Sequence, residues 1–497
     1  MTGVDSIPPP DPKREGESAM PSIQQTRREM LKAAGLGLAS LAMPSCAAAA
    51  GRNDGPPPRK PNFIVILADD QGYQDMGCFG SPDIVTPNLD RLAGQGMRFT
   101  SFYSAAPVCT PSRAALMTGC YPMRVSLPRV LFPLSDIGIS AGEKTIAEYL
   151  KPLGYATACV GKWHLGHHPE FLPTRHGFDE YFGLPYSNDM LPDKLQKRIY
   201  PELPLIEGGK VIERNPDQAQ LTTRYTERAC AFIRANKDRP FFLYLPHTMP
   251  HVPLHVSDKF KGKSKRGLYG DVIMEIDWSV GRIAATLEEL GLERDTLVFY
   301  SSDNGPWLIQ GADGGSALPL REGKGTTFDG GQREPTIMRW PGVIPSGSSC
   351  NEMCAMFDVL PTIVGLAGGI IDKDRVIDGR DIAPLMKGQA GAATPHEAFY
   401  FYSAEELQAA RSGRWKLHLP HQYRSVEKDA SGPNGVRTSQ KQIGPALFDI
   451  EADVGERTDL ASANPDVVEK LTAMARQFDA DLKAGARPPG RVSAVQE

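Results

Sequence analysis

The 497-residue sequence carries little net charge, few histidines and no long apolar run. Its 55 basic and 59 acidic residues leave a formal charge of -4, so there is no global basic field for nucleic acid or anionic lipid, and any recognition of an anion must be local. Ten histidines argue against a centre built on several histidine-ligated zinc ions. The longest early apolar stretch, Ala33 to Met43, is too short to span a bilayer as a mature anchor. Cysteines number eight, and Cys350-x3-Cys354 has no second close cysteine or histidine pair, which excludes a structural zinc site there. A local disulfide or two free thiols remain open for that pair. No repeat and no coiled-coil register is present. What is there, 41% hydrophobic and 23% charged residues, is the composition of a globular protein with ample chain for a core.

The first 58 residues read as a targeting segment and linker. Thr26-Arg27-Arg28-Glu29-Met30-Leu31-Lys32, the apolar stretch and the small-residue tail Cys46 to Ala50 form a twin-arginine export signal. The expected partner is the Tat export machinery and the expected location the periplasm or the medium. Met43-Pro44-Ser45-Cys46 is a poor lipoprotein box, which disfavours a lipid anchor on Cys46.

Asn62 to Ala68, apolar throughout and followed by Asp69-Asp70, predicts a buried parallel strand with polar function at its carboxyl end. Thr86 and Pro87 supply an N-cap and first position for a short helix. Helical patterns recur at Pro111 to Thr118, Thr145 to Leu153, Tyr225 to Asn236, Gly270 to Leu290 and Phe357 to Ala367. Strand-like segments lie between them at Tyr155 to Val160, Pro240 to Pro246, Thr296 to Ser302 and Glu334 to Trp340. This alternation predicts an α/β fold with a large, mostly parallel sheet flanked by helices. After Gly388 short strands and a final helix, Asn464 to Leu482, predict a smaller C-terminal α+β subdomain with an antiparallel sheet. The division is therefore 59–388 and 389–497. Ser425 to Gln442 reads as an exposed, mobile loop.

Two acidic clusters end strands far apart in sequence: Asp69-Asp70 and Asp303-Asn304. Three carboxylates and an amide are hard oxygen donors, suited to Ca2+ or Mg2+ and unsuited to zinc. Other motifs supply cations and proton carriers. These are Cys109-Thr110-Pro111-Ser112-Arg113-Ala114-Ala115-Leu116-Met117-Thr118-Gly119, Gly161-Lys162-Trp163-His164-Leu165-Gly166, Pro246-His247-Thr248-Met249-Pro250-His251, and Gly323-Lys324-Gly325-Thr326. Arg113 stands one helical turn after Cys109, so both project from one face.

The run from Cys109 matches the pattern C-x-P-S-R-x4-T-G and resembles the signature of the formylglycine-dependent sulfatases, arylsulfatase A-like in flavour. The resemblance spans Pro61 to Leu460 and implies an alkaline phosphatase-like fold and hydrolysis of sulfate monoesters. It implies that a formylglycine-generating enzyme oxidises Cys109 to Cα-formylglycine, whose hydrated aldehyde is the nucleophile. Asp69, Asp70, Asp303 and Asn304 would share a calcium ion, less readily magnesium, with that residue. Arg113 would orient its hydroxyls. Lys162, Lys324 and Ser187 would contact the sulfate, His251 would protonate the leaving oxygen, and His164 would take the proton that expels sulfate; His247 would support them from behind. The expected substrate is a sulfated carbohydrate or an aryl sulfate. Ser126 to Ser140 and Met190 to Leu221, which carry no familiar pattern, would wall the pocket. Two alternatives stand beside this: a phosphomonoester or phosphonate monoester hydrolase of the same superfamily, and a non-catalytic binder of sulfated glycans.

Overall fold

A computed structural model describes residues 59–192 and 199–492. The twin-arginine segment and Cys46 lie outside the described residues. Within them, no helix is long and apolar enough to cross a membrane.

The Asn62–Ala68 strand shows how the sequence sets the layers. Every residue in it is buried, and alternate side chains enter opposite cores. Phe63, Val65 and Leu67 join one cluster, while Ile64, Ile66 and Ala68 join the other, as a period of two requires when both faces are covered. One cluster takes residues from the Cys109–Thr118 and Val359–Leu366 helices. The other takes residues from the Pro87–Gly94, Leu221–Ala235 and Leu268–Glu289 helices. The result is a three-layer α/β unit.

Among the described residues the large sheet has eleven strands. Its centre is five parallel strands in the spatial order Thr296–Ser302, Asn62–Ala68, Phe241–Pro246, Ala156–Val160 and Glu180–Gly183. The Arg333–Arg339 strand runs antiparallel to Thr296–Ser302 and to Met97–Tyr103. Met97–Tyr103, Pro204–Glu207 and Lys210–Arg214 are strands that periodicity missed, because they are short or half-polar. The expected alkaline phosphatase-like α/β architecture is the observed one.

A second, antiparallel sheet contains Phe399–Ser403, Glu406–Ser412, Trp415–His418 and Ala446–Asp449. The Pro465–Ala484 helix packs Leu471 against Leu417 and Leu447 of this sheet. The polar segment read as a mobile loop is instead a hairpin: His421–Lys428 pairs with Val436–Ile443 from His421 opposite Ile443 to Lys428 opposite Val436. Its strands carry too few apolar residues for alternation to show, and backbone pairing with anchors on the main body holds them. Thr86 does cap the Pro87–Gly94 helix by position, but its hydroxyl accepts the Gly77 N–H and donates to the Asp90 side chain, and accepts no helix N–H. Cys350 and Cys354 are both free thiols.

Candidate functional site

The carboxyl ends of the five parallel strands converge, and each contributes residues just beyond its last ladder position. Asp69 and Asp70 follow Ala68, Asp303 and Asn304 follow Ser302, Lys162 and His164 follow Val160, His251 lies beyond Pro246 and Ser187 beyond Gly183. Ligands collect at such ends because the loops are free to vary while the strands are held. Asp70 and His164 sit at φ 68° and 61°, a left-handed conformation that costs a non-glycine residue energy and recurs at functional sites.

Cys109 is the first residue of the Cys109–Thr118 helix, whose positive end therefore faces the site. The helix stops at Gly119, at φ 70°, whose N–H bonds the Ala115 carbonyl; this left-handed stop is what the Thr-Gly end of the motif encodes. Gly161 has a stricter reason, since a Cβ there would stand 1.8 Å from the Pro246 carbonyl oxygen. That close approach lets the Lys162 and His164 turn lie against the neighbouring strand.

Ligand atoms of Asp69, Cys109 and Asp303 lie within 4.8 Å of one another, as do those of Asp69, Asp70 and His251. Arg113 donates through Nε to Asp303 Oδ2 at 2.9 Å and through Nη1 to the Lys162 carbonyl at 2.8 Å. Lys162 Nζ bonds Asp69 Oδ2 and donates to Ser187 Oγ at 3.3 Å. Lys324 Nζ donates to Asp70 Oδ2 at 2.7 Å. Asn304 Nδ2 donates to Asp70 Oδ1 at 2.7 Å. His251 has Nδ1 2.7 Å from the Val252 carbonyl and Nε2 3.6 Å from Asp70 Oδ2. His164 Nε2 lies 2.9 Å from the Leu131 carbonyl, so it carries the proton and leaves Nδ1 as the acceptor.

The structure thus gathers Cys109, Arg113, Lys162, Ser187, His251, Lys324, Asp69, Asp70, Asp303 and Asn304, with His164 close enough to feel the charges of Lys162 and Arg113. His247 is apart from them: its Nε2 meets Ser279 Oγ on the Leu268–Glu289 helix at 3.3 Å. Sequence reasoning missed Trp307, whose ring lies 4.5 Å from Lys324 Nζ and 5.5 Å from the His251 ring. Its place three residues after Asn304 was the available clue. The two segments expected to wall the pocket meet where Phe132 stacks on Tyr200, with centroids 6.3 Å apart. Phe132 directly follows Leu131, the partner of His164.

Burial and charge set the protonation states. Burial pushes the Cys109 thiol up to about 11 despite nearby Lys162 and Lys324, so it is no thiolate nucleophile at neutral pH. Burial and then the charge of Asp69 raise Asp303 to about 7. Burial works to raise Asp69 also, but Lys162 and Arg113 together hold it well below the usual carboxylate range. Burial drives His164 well down, helped by Lys162 and Arg113, and lowers His251, helped by Lys324. Burial works to lower Lys324, but Asp70, with Cys109 and Asp69, holds it above the usual lysine range.

These residues fit a hard divalent cation. Oδ1 of Asp69 and Oδ1 of Asn304 are buried without a protein hydrogen-bond partner, and the converging donors are mostly oxygens. Three carboxylates, Asp69, Asp70 and Asp303, face three cations, Arg113, Lys162 and Lys324. A dication would therefore leave a net positive site, matched to an anionic ester.

Comparison with known proteins agrees with this chemistry. Residues 61–370 match the family model described as Sulfatase, and residues 394–494 match that of the C-terminal region of aryl-sulfatase. The N-acetylgalactosamine-6-sulfatase of Canis lupus familiaris is 39% identical over 88% of this chain and 89% of its own. Arylsulfatase A of Bos taurus is 39% identical over 86% of this chain and 89% of its own. The crystal structure of Ps i-CgsB in complex with k-i-k-neocarrahexaose superposes with a TM-score of 0.72, at 31% identity, over 85% of this chain and 93% of that one.

Proposed function

The chain belongs to the sulfatase family of sulfuric ester hydrolases, and from that premise we propose that it desulfates a sulfated carbohydrate by way of a formylglycine made from Cys109, with a bound calcium ion. The observation that carries the reading is the buried cluster of Cys109 with Asp69 and Asp303 at a helix N-terminus, its thiol held protonated. A cysteine so placed serves poorly as a thiol and well as a precursor. Relatives acting on N-acetylgalactosamine 6-sulfate by name, and a neighbour solved with neocarrahexaose, favour a sugar over an aryl sulfate.

When present, the hydrated aldehyde supplies an attacking hydroxyl and a second one for release, and the calcium ion offsets the sulfate oxygens' charge. Asp69, Asp70, Asp303 and Asn304 are the residues that would hold the ion, together with position 109. Arg113, fixed by Asp303 and the Lys162 carbonyl, orients position 109 from one helical turn away. Lys162 and Lys324 bind the sulfate oxygens as they exchange carboxylate partners for the ester. Ser187, between Lys162 and His251, positions both. His251, with Nδ1 donating to the Val252 carbonyl, delivers a proton from Nε2 to the leaving oxygen in its cationic form, and Trp307 packs beside that histidine and Lys324. His164 accepts a proton at Nδ1, its other nitrogen being committed to Leu131.

The test is mass spectrometry of the Cys109 peptide from protein made in its native host, beside turnover of paired sulfate and phosphate esters. The aldehyde form and faster sulfate cleavage are expected. An unmodified thiol throughout overturns the formylglycine route, and faster phosphate cleavage supports the phosphohydrolase alternative. We propose export by the twin-arginine route on the motif at Arg27-Arg28; that route carries folded proteins, so oxidation of Cys109 would precede folding in the cytoplasm.

A further inference from the structure

A cleft of 710 Å3 lies beside the site, between the loops after the Asn62–Ala68 and Thr296–Ser302 strands and the C-terminal hairpin. Its wall is shared with the site. Leu308 and Glu322 line the cleft, Leu308 follows Trp307, and Glu322 precedes Lys324 by two residues, at most about 7 Å along the chain. Trp307 and Lys324 are in turn in contact with each other. The cleft is of the size that takes a small ligand, not a helix or a protein face.

We propose that this cleft binds the saccharide units next to the sulfated one, so that the enzyme acts on oligosaccharides and the hairpin reads the chain beyond the scissile ester. This rests on the sulfatase reading above. The lining has the mixture that an anionic sugar needs: Leu318, 55% exposed, and Leu308 for the apolar ring face, Asp83 for hydroxyls, and Lys428 for a second sulfate or a uronate. Lys428 is exposed and Asp83 half-buried, and neither enters an ion pair among the described residues. The other charges are engaged in holding the walls. Arg266 donates to the carbonyls of Ala312 and Gly314 at 3.3 and 3.1 Å. Glu322 accepts Ser425 Oγ at 2.7 Å and the Val426 N–H at 3.3 Å. Those last two bonds fasten the hairpin to the loop of Lys324, so a chain seated under the hairpin lies next to the loop that presents Lys324. The hairpin is polar along most of its length and buries few apolar residues, as a ligand-facing element would.

The experiment is steady-state kinetics of the full-length protein on 4-nitrophenyl sulfate and on di-, tetra- and hexasaccharides of chondroitin sulfate and κ-carrageenan. KM should fall with chain length. Lys428→Glu, at an exposed position, and Asp83→Ala, at a half-buried one, should each raise KM for a hexasaccharide roughly ten-fold, the scale of one charge-assisted hydrogen bond. Both should leave 4-nitrophenyl sulfate turnover and the unfolding temperature unchanged. No dependence on length, equal effects on the aryl ester, or turnover of the aryl ester with none of the saccharides overturns the inference and spares the sulfatase reading. Absence of turnover with every sulfate ester overturns both.

Discussion

Cys109 and His251 carry the sharpest residue-scale consequences. Cys109 is a small side chain at the start of a helix whose other nine residues are also buried, so Cys109→Ala removes only its sulfur from the packing. We expect turnover to vanish while the unfolding temperature stays within a few degrees, and residual activity near that of the parent would contradict position 109 as the nucleophile's source. His251 is expected to protonate the leaving oxygen. A sugar alkoxide needs that proton and a nitrophenolate does not, so His251→Gln should lower kcat on a sugar sulfate by about 10^2 to 10^4 and on 4-nitrophenyl sulfate far less. Equal losses on both would make His251 a sulfate-binding residue only. The sequence marked both positions by motif, because close chemistry demands particular side chains at particular spacings. Trp307 carried no such mark, since an aromatic ring placed by tertiary contact looks like any core residue.

At the scale of elements, the C-terminal sheet and hairpin grip the loop that presents Lys324. Lys416 Nζ reaches Asp329 at 2.7 Å and Glu456 at 2.9 Å, all with buried side chains. Arg321 donates to the Glu456 carbonyl at 2.6 Å and to Tyr423 at 2.9 Å, and Thr327 donates to Gln408 at 3.0 Å. Lys416→Met leaves two buried carboxylates without their shared cation, and we expect a loss of about 3–5 kcal/mol, read from urea unfolding. Ser425→Ala is a milder probe: it removes one bond to Glu322 and should reduce kcat/KM severalfold in the parent but not further in Lys324→Ala. Additive losses in both backgrounds would show that the hairpin does not act through Lys324. None of this grip is legible in the segment from Ser425 to Gln442. Its polar composition reads as a loop because its partners lie about a hundred residues upstream.

For the whole molecule, buried histidines set an acid limit on stability. Burial holds His167, His176, His247 and His418 at about 4 when folded, against about 6.5 when unfolded. Between those values the unfolded chain binds more protons, so stability is complete above pH 6.5 and declines as pH falls toward 4. Asp75, Asp277 and Asp303, raised by burial to about 6, 6 and 7, act in the opposite direction, so the histidine contribution is read by difference. His176→Gln should make the urea midpoint fall less on acidification across that window than in the parent, and an unchanged slope would contradict a buried, neutral His176. A calcium ion held by the native site should raise the unfolding temperature in proportion to the logarithm of its concentration. Asp69→Ala should abolish that rise; its persistence would place the ion elsewhere.

Sequence alone determined the layer order and nominated the groups that meet at the candidate site. Continuous apolar strands such as Asn62–Ala68 can be buried only between helices, and Asp69-Asp70, Asp303-Asn304 and the motifs around Cys109 and Lys162 are local patterns whose chemistry needs no knowledge of neighbours. Only the tertiary structure decided that Trp307 stands between Lys324 and His251, that His247 turns away to Ser279, and that a polar segment becomes a hairpin over a cleft. The reason is physical: a side chain's type is written at its own position, but its partners are set by which distant segments the core brings to the same end of the sheet.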